Sequence, residues 1–422
     1  TAFHAVENYR QILNADGFEE LLESEHWNIV PGGKYYVTRN NTSILAFKVG
    51  TKLDNYSFNI VTSHTDSPTF KVKENAEIEV KNKYTQLNTE GYGGMLCATW
   101  LDRPLSIAGR VLVSEGDSIV TKLLNIDRDL LMIPNVAIHM NRAANDGFKY
   151  NLQVDMLPLL SAGDDRQKDF KQIIADELGV KKEDILGHDL YLYNRMAPSI
   201  WGANEEFISA GHLDDLQCGF ASLKALLAGY NDESIDIMAC FDNEEVGSGT
   251  KQGADSTLLR DTLTRINSAL GKTEEDYHRA LASSFMLSAD NAHAVHPNHP
   301  EHTDATNCTY MNEGVVVKSH AGQKYTSDGV SMAVVKALAS GVEVPLQYFA
   351  NRSDKAGGST LGNIAMAQAS MNAVDIGLPQ LAMHSSYETA GIKDTYYAIT
   401  LMKALFDSHI QETSTHSLEI KR

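Results

Sequence analysis

The sequence predicts an α/β protein in which a mostly parallel sheet flanked by helices is interrupted by a second, β-rich module. Beyond Trp201-Gly202, short apolar runs alternate with longer amphipathic ones, the pattern of a parallel sheet with helices on both faces. From about Phe70 to Tyr193 the segments are β-rich instead and alternate residue by residue. The 422 residues also exceed what a single core usually organises, so two domains are expected.

Taken in order, Phe58 to Thr62 reads as a short buried strand entering the polar turn Ser63-His64-Thr65-Asp66-Ser67-Pro68. Lys71-Val72-Lys73 and Glu77-Ile78-Glu79-Val80-Lys81 read as half-exposed strands of the inserted module. After Trp201-Gly202 the expected order is helix 214–228, strand 234–241, helix 257–270 and strand 284–288. Strand 344–349, helix 359–371, strand 373–376 and a final helix 393–406 complete it. Residues 1–70 and 201–422 are expected to form one domain, and 71–200 the module between its two parts.

With 43% hydrophobic and 22% charged residues and no low-complexity tract, the chain reads as an ordinary globular protein. A formal net charge of -19 argues against nucleic acid or anionic membrane as a partner, because the surface would repel phosphates. No stretch approaches the roughly 18 apolar residues of a membrane span, and Thr1 to Leu13 lacks the features of a signal peptide. A cytoplasmic location is the expectation. Cys97, Cys218, Cys240 and Cys308 lack a CxxC spacing and read as reduced, with Cys218 and Cys240 buried in apolar runs.

The chemistry-bearing residues sit just beyond predicted strands, where open α/β sheets place their sites. The run Asp236 to Gly249 delivers two adjacent carboxylates, Glu244 and Glu245, into a glycine loop. His64 stands two residues before Asp66, close enough for that carboxylate to fix its tautomer. Asp214 lies at a predicted helix start, Asp290 in Ser288-Ala289-Asp290-Asn291, and His384 in Met383-His384-Ser385. These are the nitrogen and carboxylate donors that zinc takes. Singly, each has a plainer reading: Glu244-Glu245 as a solvated pair, Asp214 as a helix cap, His384 as a hydrogen-bonded core histidine.

Together the motifs resemble the aspartyl aminopeptidase (M18) family of metallopeptidases over nearly the whole chain. The matching runs are Ser63 to Pro68, Tyr92-Gly93-Gly94, Trp100-Leu101-Asp102-Arg103, Leu213-Asp214-Asp215-Leu216, Asp242 to Ser248, Ala292 to Asn298 and Pro379 to Ser385. The resemblance implies two zinc ions per subunit, one on His64 and Asp290 and one on Glu245 and His384, bridged by Asp214. Glu244 would be the general base, with Asp66 completing the catalytic group behind His64. Peptides with a free N-terminus would be the substrates, met by His293, Lys318 and Tyr325, the lysine favouring an acidic first residue. His139 would reach a neighbouring subunit's site, making the β-rich module the builder of a tetrahedral dodecamer. The alternatives are a broad or leucine-preferring aminopeptidase of the same family and, from another class, an inactive scaffold. Two departures stand near the ligands, Asp215 in place of asparagine and His212 in place of arginine, and Pro300 to Glu313 matches no family pattern.

Overall fold

The computed structural model describes residues 1–163 and 169–422. Its largest sheet has nine strands in the order Glu19–Glu20, Lys34–Arg39, Ser43–Val49, Ser234–Phe241, Ser57–His64, Phe285–Ala289, Asn372–Gly377, Val315–Lys318 and Leu346–Phe349. Five of its eight neighbouring pairs are parallel, including the three at the centre. Ser57–His64, Ser234–Phe241 and Phe285–Ala289 are buried along their whole length, which is why they read as continuous runs without alternation.

Helices cover both faces. On one, Ala2–Ala15, Leu213–Ala228, Gly329–Gly341 and Asp394–Phe406 bury Leu13, Leu226, Leu338 and Leu405. On the other, Leu258–Ala269, Glu274–Ala282 and Leu361–Gln368 bury Leu263, Tyr277 and Leu361. Each such side chain contributes roughly 1.5–3 kcal/mol of transfer free energy. The expected helix 359–371 shortens to Leu361–Gln368 for a local reason. Thr360 donates to Asp375 Oδ1 at 2.6 Å, which holds it extended, and Ala369 leaves the helix at φ -147°.

The β-rich segment forms a separate six-stranded sheet, in the order Ser118–Asn125, Leu105–Glu115, Ile185–Asn194, Thr69–Val80, Tyr84–Tyr92 and Leu159–Ala162. Every pairing in it is antiparallel, and it has its own core around Phe70, Trp100, Ile107 and Leu190. Residues 134–158 form no strand. His139 lies there in an exposed turn, not in a half-buried strand, among exposed Val136, Ile138, Met140 and Val154.

A third sheet of five short strands joins Ser199–Trp201, Phe207–Ala210, Glu388–Gly391, Pro379–Leu381 and Ala292–His293. Strands of two to four residues are too short to show a period, so nothing in the sequence announces this sheet. All four cysteines are free, with Cys218 and Cys240 buried as expected. Among the described residues no helix is long and apolar enough to cross a membrane.

Candidate metal centre

Three adjacent parallel strands end at the same edge of the large sheet. His64, the last residue of Ser57–His64, pairs with Phe241, so the turn carrying Glu244 and Glu245 emerges beside it. Asp290 follows Phe285–Ala289 on the other side. Asp214 comes from the start of Leu213–Ala228, and His384 from the loop after Pro379–Leu381. The structure thus brings His64, Asp214, Glu245, Asp290 and His384 together from five distant segments.

Asp214 stands in the middle of the five. Its Oδ1 lies 3.3 Å from His64 Nε2, which is also 3.9 Å from Asp290 Oδ1. Its Oδ2 lies 3.5 Å from His384 Nε2, and that nitrogen is 3.3 Å from Glu245 Oε2. One carboxylate therefore addresses two separate donor pairs. Asp214 and His64 are almost fully buried, and the Asp214–Asp215 peptide is cis.

Both imidazoles are held by their other nitrogen. His64 Nδ1 meets the Asp66 carbonyl at 3.1 Å and Asp66 Oδ1 at 3.3 Å, while His384 Nδ1 meets the Gly94 carbonyl at 2.8 Å. Their Nε2 atoms are left facing the carboxylates, the orientation that a metal-ligating histidine requires. Asp66 also accepts from the backbone N–H groups of Glu244 and Glu245, each at 3.2 Å, and from the Tyr92 hydroxyl at 2.7 Å. Its carboxylate ties His64 to the loop of the two glutamates. Asp214 is fixed through its carbonyl, which accepts from Ser67 Oγ at 2.8 Å.

Glu388 completes the frame, and sequence reasoning missed it. Its Oε2 accepts from Asp214 N at 3.0 Å and its Oε1 from His384 N at 2.7 Å, so one buried carboxylate positions two of the five donors.

The electrostatics are those of a cation site. Burial raises the Asp214 carboxyl, but the His384 and His64 imidazoles facing it outweigh burial and hold the group below its usual range. Burial lowers His384, yet Asp214 and Glu245 bring it up to about 9; His64 is likewise raised, against burial, by Asp214, Asp290 and Asp66. Glu245 is pushed up by burial and then by Asp214. Asp214 Oδ1, Asp215 Oδ1 and Glu245 Oε1 are buried without a hydrogen-bond partner. The donor atoms stand 3.3–3.9 Å apart. That is near the roughly 3.3 Å separating ligands around a tetrahedral ion with bonds of about 2.0–2.1 Å. Donor types, orphaned oxygens and spacing all fit zinc.

Asp215 is fully buried beside Asp214 and Asp290, and its Oδ2 accepts from His64 N at 3.1 Å. Burial raises its pKa well above the usual range, opposed by His64 and reinforced by Asp290 and Asp214. Glu244 is pushed up to about 7 by burial, opposed by His64 and reinforced by Asp290, Asp66 and Asp214.

The remaining expected residues are placed unevenly. His293 lines a cavity of about 410 Å³ with Phe349, Gln380, Ala382 and Met383, next to His384. Lys318 is 3% exposed, donates to the Asn291 carbonyl at 2.8 Å and stands 3.8 Å from Asp290 Oδ2. Tyr325 is buried with its ring 5.7 Å from the Lys318 ammonium. His139 is exposed within residues 134–155, outside the ligand cluster.

Known proteins carry the comparison further. Residues 1–406 match the family described as Aminopeptidase I zinc metalloprotease (M18). A protein named probable M18 family aminopeptidase 2 from Clostridium novyi (strain NT) is 47% identical over 414 residues, covering 96% of this chain and 95% of its own. Among solved structures, that of the Ape4 and Nbr1 complex matches with a TM-score of 0.93 at 35% identity, covering 96% of this chain and 83% of that chain. The mApe1 dodecamer of S. cerevisiae matches with a TM-score of 0.83 at 28% identity, covering 96% and 93%.

Proposed function

Since the chain belongs to the M18 aminopeptidases, a zinc metalloprotease family, we propose that it removes single N-terminal residues from peptides with two zinc ions per subunit. One observation carries this reading: Asp214 turns one oxygen toward His64 and the other toward His384. His64 and Asp290 would hold one ion, Glu245 and His384 the other, and Asp214 would bridge them. Bound there, a zinc pair acidifies the attacking water and polarises the scissile carbonyl.

The protein's own groups do the rest. Glu244, the carboxylate of the pair not assigned to metal, accepts a proton from water and returns it to the leaving amine. Burial lifts its pKa to about 7 in the metal-free chain, and two neighbouring cations would draw it down toward the ionised form a base needs. Asp66 holds the Glu244 backbone and the His64 ring in one hydrogen-bonded unit. The substrate's free α-amino group would bind at the zinc pair, so cutting would be confined to chain ends.

For the first residue, Asp or Glu is the preference proposed, with Lys318 as the answering cation. A second reading, a broad or leucine-preferring enzyme, is favoured by the burial of Lys318 and its bond to the Asn291 carbonyl. Elemental analysis and release rates from Asp-, Glu- and Leu-anilides test both layers. Two zinc equivalents per chain are expected, and one equivalent would refute the bridged pair. Leucine release exceeding acidic release would replace the first reading with the second.

The assembly proposed is a tetrahedral dodecamer built by the 71–200 module, with His139 entering a neighbour's site. Support comes from the dodecameric mApe1 relative and from exposed Met140 and Val154 in the segment that carries His139, 85% and 71% accessible in one chain. Nucleic acid and membranes have no place in this reading, and its setting is cytoplasmic.

A further inference from the structure

A second set of metal-ligating side chains stands on the surface, on and beside the single turn Pro300–His302. His299, Glu301 and His302 each offer one donor atom, and the three atoms lie within 4.8 Å of one another. Both imidazoles converge on the same oxygen. His299 Nδ1 is 3.0 Å from Glu301 Oε1, and His302 Nε2 is 3.9 Å from it. Around a tetrahedral ion with bonds of about 2.0–2.1 Å, neighbouring donors are separated by roughly 3.3 Å. The group is therefore close to closing on a cation with small side-chain rotations and no change of backbone.

The backbone beneath it is fixed. Pro300 sets its own φ, and its carbonyl accepts from Thr303 N at 3.3 Å and from Thr303 Oγ1 at 2.8 Å. Arg352 donates to the Glu301 carbonyl while its charge is taken up by Asp354 at 2.9 Å. The described ion pairs of the Glu301 carboxylate are with the two imidazoles alone. The His296 and His299 rings lie with centroids 5.4 Å apart at a 38° tilt, and those of His299 and His302 5.3 Å apart at 33°, so the three rings are close neighbours.

We propose that His299, Glu301 and His302 form a further metal site, distinct from the buried centre, that takes an exchangeable divalent transition ion such as zinc, nickel or copper. Two imidazoles and one carboxylate select such ions over magnesium and calcium, which prefer all-oxygen sets. Solvent fills the remaining positions, which keeps binding weaker than in the enclosed centre. The strongly acidic chain raises the local concentration of cations around it. His302 and His296 also line the cavity that holds His293, placing the site on the wall of that cavity.

The test is a nickel titration of the untagged, zinc-loaded protein by calorimetry, with zinc release followed in the same samples. The native chain is expected to take up one further equivalent without losing zinc. The double variant His299→Asn with His302→Asn loses that equivalent, or binds it at least about tenfold more weakly, while keeping its zinc. His278→Asn, which removes an exposed histidine whose acidic partner Glu274 serves one imidazole only, leaves uptake unchanged. The proposal is overturned if native protein takes up nickel only as zinc leaves, or if the double variant binds the extra ion as the native chain does.

Discussion

Replacing Glu388 with glutamine probes the frame of the centre without touching any assigned ligand. Glu388 accepts two backbone N–H bonds, from Asp214 at 3.0 Å and His384 at 2.7 Å, and it is 2% exposed. Glutamine keeps one acceptor and turns an NH2 group against the other N–H, so one bond is lost and two donors oppose each other. Above pH 8, where Glu388 is ionised, a hydrogen bond involving a charged group contributes about 1.5–3 kcal/mol, equivalent to roughly 10–100-fold in a binding constant. Zinc affinity, measured by competition with a chelator of known strength, should fall by that factor. Glu388→Ala loses both bonds and should fall further. Thermal unfolding of the metal-free variants separates loss of metal from loss of fold. Zinc affinity within about threefold of native in a folded Glu388→Gln protein would refute the positioning role, since outer-sphere partners of metal ligands typically matter by 10–100-fold.

Glu244→Gln should keep its metal and lower turnover by about 100- to 10,000-fold, as expected for removal of a general base; near-native turnover would reassign that role. Metal-free protein should lose thermal stability as pH rises from 7 to 9. Glu388, pushed up to about 8 by burial and then by Asp214, contributes stability that is present below its unfolded pKa and lost as pH rises through 8. His384, raised to about 9 by Asp214 and Glu245 against burial, acts in the same direction. Zinc should flatten this dependence because it takes the place of the His384 proton and its charge favours the ionised form of Glu388, and a metal-free melting temperature that rises over the interval would contradict the sign. His139→Ala should lower activity without unfolding the chain, and mixing it with Glu244→Gln subunits should restore part of the activity. Verified mixed assemblies that recover nothing would remove His139 from the site.

How much of this was legible in the sequence depended on what each residue touches. His64, Asp290 and the glutamate pair follow segments that read as short buried strands, so their position just beyond strand ends could be inferred before any contact was known. Asp214 looked like a helix cap, and it does occupy a helix start, but its oxygens face imidazoles. Glu388 had no such signal. Its partners are backbone N–H groups, one of them 174 residues away, and a lone glutamate in Tyr387-Glu388-Thr389 carries no pattern. The five-stranded sheet that holds it was silent for the same reason, being made of pieces too short for periodicity.

The β-rich module reaches further into the chemistry than a platform for assembly would. At the end of its Tyr84–Tyr92 strand, the Tyr92 hydroxyl donates to Asp66 and accepts from Asn243 Nδ2 at 2.7 Å, and the Gly94 carbonyl holds His384 Nδ1. Between them Gly93 adopts φ +74°, and a Cβ there would stand 3.1 Å from Glu245 Cβ, so only glycine passes without displacing a proposed ligand. Both imidazoles and the second glutamate therefore take their orientation partly from the inserted sheet. Excising 71–200 would remove the hydrogen-bond partner of His384 together with the clamp on Asp66. A subunit lacking 71–200 would therefore lose these supports of the proposed metal centre whether or not neighbours are present.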